Sequence, residues 1–86
     1  MSAKNITYSR DALKTLTRMP ANTARLIRSK IERYAANPAA LANNVKALVG
    51  MDGYRRLRVG DWRVIFSETG EVIAIIRIAP RGGAYD

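Results

Sequence analysis

The dipeptide Gly60-Asp61 constrains this chain more than any other feature. It stands between two runs, Tyr54–Val59 and Trp62–Glu68, that alternate and are rich in β-branched and aromatic residues, the pattern of a hairpin closed by a two-residue turn. Such a turn fixes register. Val59 faces Trp62, Arg58 faces Arg63, Leu57 faces Val64, Arg56 faces Ile65 and Arg55 faces Phe66. One face of the hairpin then carries Leu57, Val59, Trp62, Val64 and Phe66, a core face. The other carries Arg56, Arg58 and Arg63, with Tyr54 and Ser67 behind them. Arg58 directly opposite Arg63 is unfavourable for folding alone. Either an anion sits between them, or the side chains turn away to water or to Asp61.

The rest of the chain supplies layers for that hairpin. Residues 3–8 read as a short strand. Ser9 caps a helix with Asp11 in its first turn and Ala12, Leu13, Leu16 and Met19 on one face, stopped by Pro20. A second helix starts at Asn22 or Thr23, repeats Ala24, Ile27, Ile31, Tyr34 and Ala35, and ends at Asn37-Pro38. Its Arg25, Arg28 and Arg33 read as a solvated face. Residues 39–53 form a connector with a helical turn around 41–48. A last strand over about 71–79 follows a Thr69-Gly70 turn, so the final three strands form an antiparallel meander. With a two-residue turn Arg77 falls beside Trp62 on the core face. A longer loop, a bulge, or a side chain reaching out at the sheet end resolves that. Residues 80–85 read as a polar tail from which Arg81 and Tyr85 can fold back.

Eighty-six residues fit one domain, 1–86, and a surface groove rather than a deep cavity. The chain has neither Cys nor His, which excludes disulfides, thiolate or imidazole metal sites and histidine bases. The carboxylates are scattered, and neither metal nor cofactor is expected. Glu68 lies five residues from Arg63, about 17 Å along a strand, too far to act on a phosphate held there. No apolar run is long enough for a membrane span, no secretory signal is visible, and a cytoplasmic protein is expected. Eleven Arg and four Lys against seven acids give a net charge of +8, spread along the chain, which points to a polyanion such as nucleic acid. Phosphate-binding loops and the aromatic RNA-recognition strand pattern are absent.

The stretch Lys46 to Phe66 resembles a segment of the RelE/ParE family of toxins from toxin–antitoxin pairs, K-x-L-x-G-x-D-G-Y-R-x-R-V-G-D-Y/W-R-V-I-F/Y. The Ala12-Leu13-Lys14 to Met19-Pro20 helix, the Asn37-Pro38 step and the close Arg77-Ile78-Ala79-Pro80-Arg81 to Tyr85 are similar to that family's pattern, so the likeness covers nearly the whole chain. The resemblance implies an α+β fold, β-α-α-β-β-β, with two N-terminal antiparallel helices packed on a four-stranded antiparallel sheet. It implies a cognate antitoxin partner, operator DNA reached through that antitoxin, and, for RelE-like members, the ribosome and its mRNA as target of a metal-independent endoribonuclease. Carried over residue by residue, the catalytic set is Arg63, Arg81 and Tyr85, and the RNA-binding set is Arg56 and Arg58; Arg55 and Lys46 are further RNA-binding candidates. Many cleaving relatives have His before the terminal Arg where this chain has Pro80. ParE-like poisoning of DNA gyrase is therefore an alternative, as is a non-enzymatic module that binds antitoxin and operator DNA.

Overall fold

A computed structural model describes residues 4–48, 50 and 53–81. The chain runs β1 (Asn5–Tyr8), α1 (Arg10–Arg18), α2 (Ala21–Ala36), a 3-10 segment (Pro38–Asn44), β2 (Val45–Ala47), β3 (Tyr54–Val59), β4 (Trp62–Glu68) and β5 (Val72–Pro80). The α+β class and the two helices over a sheet agree with expectation. The sheet itself differs: it has five strands in the order β1-β5-β4-β3-β2, and β1 lies parallel to β5. The extra strand, β2, comes from the expected connector, which opens as the 3-10 segment and then pairs antiparallel with β3. No helix among the described residues is long and apolar enough to cross a membrane.

Local chemistry sets the helix ends. Ser9 Oγ accepts the N–H of Ala12 at 3.0 Å and donates to the carbonyl of Ile76 at 2.6 Å, so one side chain caps α1 and ties it to β5. Asp11 sits in the positive first turn. α1 stops before Pro20, and α2 begins at Ala21, earlier than Asn22. Pro20 is the N-cap of α2, non-helical at ψ 143°, and its carbonyl accepts the N–H of Ala24 at 3.0 Å, the first bond of the helix.

The helices and one face of the sheet enclose the core. Leu16, Ile27 and Ile31 from the helices meet Leu57, Val64, Phe66, Ile73 and Ile75 from the sheet. Tyr34 and Phe66 pack as a tilted pair with centroids 5.3 Å apart. Leu13, expected on the buried face of α1, remains exposed.

Two departures in β5 decide where Arg77 goes. Glu68 pairs with Ile73, so the β4–β5 loop is longer than two residues, closed by Thr69 N–H to the Val72 carbonyl at 2.9 Å. The register then shifts between Ile65, opposite Arg77, and Phe66, opposite Ile75, which leaves Ile76 as the extra residue of a bulge. Together these bring Arg77 opposite Ile65 instead of beside Trp62.

Candidate functional site

The β3–β4 hairpin has every pairing that its two-residue turn dictates, from Val59 opposite Trp62 to Arg55 opposite Phe66. Gly60 has φ of +58° and no non-glycine residue among those described has positive φ, the pattern of a turn with glycine at its first central position. Alternation then assembles a basic face on the side away from the helices. Arg56 and Arg58 come from β3, Arg63 from β4, Lys46 from β2 opposite Arg56, and Arg77 from β5 opposite Ile65.

This face has a closed floor and an open rim. Ile65, Ala79 and Arg63 form the floor, at 1%, 4% and 6% exposure. Lys46, Arg58 and Arg77 are exposed around it, and Arg56 is half-buried. Arg81 joins at the end of the sheet: its backbone N–H bonds the Asp61 carbonyl at 2.6 Å, which holds it beside the hairpin turn. Tyr85 lies outside the described residues.

Arg63 settles the like-charge pairing in its own way. Its Nη1 donates to the carbonyls of Gly60 and Trp62, both at 3.1 Å. The guanidinium thus folds against the turn that positions it and leaves Arg58 to face solvent.

Arg55 does not join the set. It alternates onto the helix side, where its Nη1 lies 3.9 Å from Glu68 Oε1. Glu68 also bonds Lys4 Nζ and accepts the Tyr34 hydroxyl at 2.6 Å. Burial pushes the Glu68 carboxyl up, but hydrogen bonds from Lys4 and Tyr34 and the charges of Lys4 and Arg55 outweigh it and hold the group below its usual range. Tyr34 moves the other way: burial, then its bond to the Glu68 carboxylate, pushes it up to about 12. This polar knot ties β1's entry, α2, β3 and β4 together at the end of the sheet far from Gly60.

Two features were not fixed by the sequence. Arg77 belongs to the basic face because of a bulge, one of the resolutions the sequence left open for it. A groove of about 450 Å³ also opens between α1 and the ends of β4 and β5, lined by Asp11, Thr15, Arg18, Trp62, Arg77 and Pro80 among others. Its only trace in the sequence is a tryptophan placed next to a turn.

A family model described as the ParE toxin of the type II toxin–antitoxin system parDE matches residues 6–85. Among solved structures, the chain is similar to a chain of the archaeal RelE–RelB complex from Pyrococcus horikoshii OT3, with 26% identity, a TM-score of 0.79, and coverage of 96% of this chain and 100% of that one. It is similar to a chain of the RelB–RelE antitoxin–toxin complex from Methanococcus jannaschii at 24% identity and TM-score 0.72, covering 88% and 91%. It is similar to a chain of the intact E. coli RelBE complex at 17% identity and TM-score 0.74, covering 91% and 96%. The last two likenesses speak to the fold alone. No protein of curated function matches the chain.

Proposed function

The chain belongs to the RelE/ParE family of type II toxins, and from that premise we propose that it is a RelE-like toxin that cleaves mRNA on the ribosome and is neutralised by an antitoxin. The observation that carries this reading is the basic rim of Lys46, Arg58, Arg77 and Arg81 around one end of a sheet face. Glu68 and Glu71 lie at the other end of β4, so a polyanion approaching the Gly60 turn meets net positive charge. Arg, which dominates the rim, grips phosphate with a planar fork of donors.

In the proposed reaction the ribose 2′-oxygen attacks the adjacent phosphorus. The new 2′-O–P bond replaces the P–O5′ bond, and a 2′,3′-cyclic phosphate is left. One proton leaves the 2′-hydroxyl and one arrives on the departing 5′-oxygen. Lys46, Arg56 and Arg58 position the backbone, and Arg81 meets the charge that develops on the phosphate. Arg63, folded against the Gly60 and Trp62 carbonyls, adds positive charge from the floor and keeps the turn in shape. A guanidinium cannot be a neutral base. Tyr85, outside the described residues, takes the proton-transfer role in this reading, as a phenol hydroxyl able to give or accept a proton. So weak a base leaves in-line alignment to the ribosome, and free RNA is cut feebly. The protein acts in the cytoplasm, and its partner wraps it as RelB accompanies RelE in the P. horikoshii complex. Operator DNA is reached through that partner.

A purified translation system with primer extension on the mRNA tests the reading. Cuts at the A-site codon are expected, lost in Arg81→Ala and Arg63→Ala. The matching family model is that of ParE, and Pro80 replaces the histidine of many cleaving relatives, which together favour gyrase as the second reading. Intact mRNA with gyrase-dependent DNA breaks selects it. Neither damage, with growth unaffected by expression, selects a binding module.

A further inference from the structure

The groove between α1 and the ends of β4 and β5 shares Arg77 with the basic face and is otherwise unused by the proposed mechanism. Trp62 is the single tryptophan of the chain. It is half-buried, with part of it packed on the core and part lining this groove. Met19, Pro20, Ile78 and Pro80 supply its apolar walls. Its polar groups are of mixed kind. Arg18, in the last turn of α1, and Arg77 are donors only, Asp11 is an acceptor, and Thr15, whose hydroxyl donates to the Asp11 carbonyl at 3.1 Å, keeps its oxygen as an acceptor.

A volume of about 450 Å³ is within the usual range for small-ligand pockets. An aromatic ring beside arginines, in a slot with both donors and acceptors, is the chemistry that takes an unstacked base of single-stranded RNA. Place supports this. Pro80 lines the groove and pairs with Trp62, and the next residue, Arg81, is held at the hairpin turn by its bond to Asp61. Arg81, a phosphate contact in the proposed reading, therefore follows directly on the groove wall in the chain. We infer that the α1–β5 groove is a seat for one nucleobase of the bound RNA, stacked on Trp62 with its edge read by Asp11, Thr15 and Arg18. This rests on the RNA reading of the basic face and adds to it a base-recognition subsite around the far edge of the sheet.

The test titrates the full chain with a short single-stranded RNA carrying a dye at one end. Dye anisotropy reports binding, and Trp62 emission reports the groove alone. Emission is expected to change with the same midpoint as anisotropy, and less with an RNA made abasic at each position in turn, at one position only. Trp62→Leu is expected to weaken binding about 5- to 150-fold with an unchanged salt slope, and Trp62→Phe to keep most of it. Binding with unmoved emission, or Trp62→Leu equal to the parent, overturns the seat and leaves the basic face standing. RNA that does not bind at all overturns the RNA reading and the seat with it. An emission change given by an acidic protein partner but not by RNA overturns the seat in favour of a protein contact. If Trp62→Leu fails to fold, the abasic series on the parent chain decides.

Discussion

Glu68 is the acid on which folding depends most visibly. Its carboxylate receives Tyr34 and Lys4 and sits near Arg55. Its pKa is depressed in the folded chain, so its contribution is complete above the usual value of 4.5 and is lost as pH falls through the folded value. Tyr34, raised to about 12, has the opposite sign: its contribution is whole below pH 10 and is lost between pH 10 and 12. Glu68→Gln is expected to cost about 1–3 kcal/mol at neutral pH and to flatten the acid limb of stability. Tyr34→Phe is expected to cost about 1 kcal/mol and to flatten the alkaline limb. Denaturant melts across pH check both, and an acid limb unchanged in Glu68→Gln refutes the assignment. Arg63 teaches a different lesson at this scale. Alternation places it on the basic face, but only the rotamer says that its guanidinium returns to the Gly60 and Trp62 carbonyls, and no pattern of residue types encodes that choice.

Among the elements, the hairpin was the most legible, because a two-residue turn with glycine leading leaves one register open. Gly60 has positive φ, while a Cβ built there meets nothing within 4 Å, so substitution costs backbone conformation alone. Gly60→Ala is expected to cost about 1–2 kcal/mol and to lower the melting temperature by about 4–16 °C. Gly70, which has neither positive φ nor a crowded Cβ, serves as the control, and Gly70→Ala is expected to be near neutral. Equal melting shifts would remove Gly60 from its special role. The helices were legible to within a residue or two through Ser9, Pro20 and Asn37-Pro38. β1 was legible as a strand but not as a parallel neighbour of β5, since that pairing joins Asn5 to Val72 across most of the chain. β2 is only three residues, too short for alternation to mark it, and it forms because β3 offers it an edge. The bulge at Ile76 defeats reading by alternation, and with it the place of Arg77.

For the whole molecule, a charge of +8 governs encounter with polyanions. If the rim cations Lys46, Arg58, Arg77 and Arg81 each meet one phosphate of single-stranded RNA, affinity falls with salt at a log–log slope of about −3. Arg58→Ala is expected to flatten the slope by about 0.7, and Arg55→Ala, on the helix side, to leave it unchanged. Binding isotherms at several salt concentrations measure this. A slope moved equally by both variants would show that general charge, not the face, holds the RNA. The composition foretold a basic partner surface. It could not foretell that Arg55 and Arg56, adjacent in sequence, look out from opposite sides of the sheet.

The parallel union of β1 with β5 also sets a timetable. Asn5 to Tyr8 are synthesised well before the strand they lie against, from Val72 to Ile75. Synthesis at about 5–20 residues per second keeps β1 waiting several seconds. Ser9, whose hydroxyl needs the carbonyl of Ile76, waits with it. A nascent chain stalled before residue 72 therefore has its opening strand and the cap of α1 without their β5 partners, and Arg77 and Arg81 are still to come. The basic face proposed to grip RNA is therefore incomplete until β5 has been made.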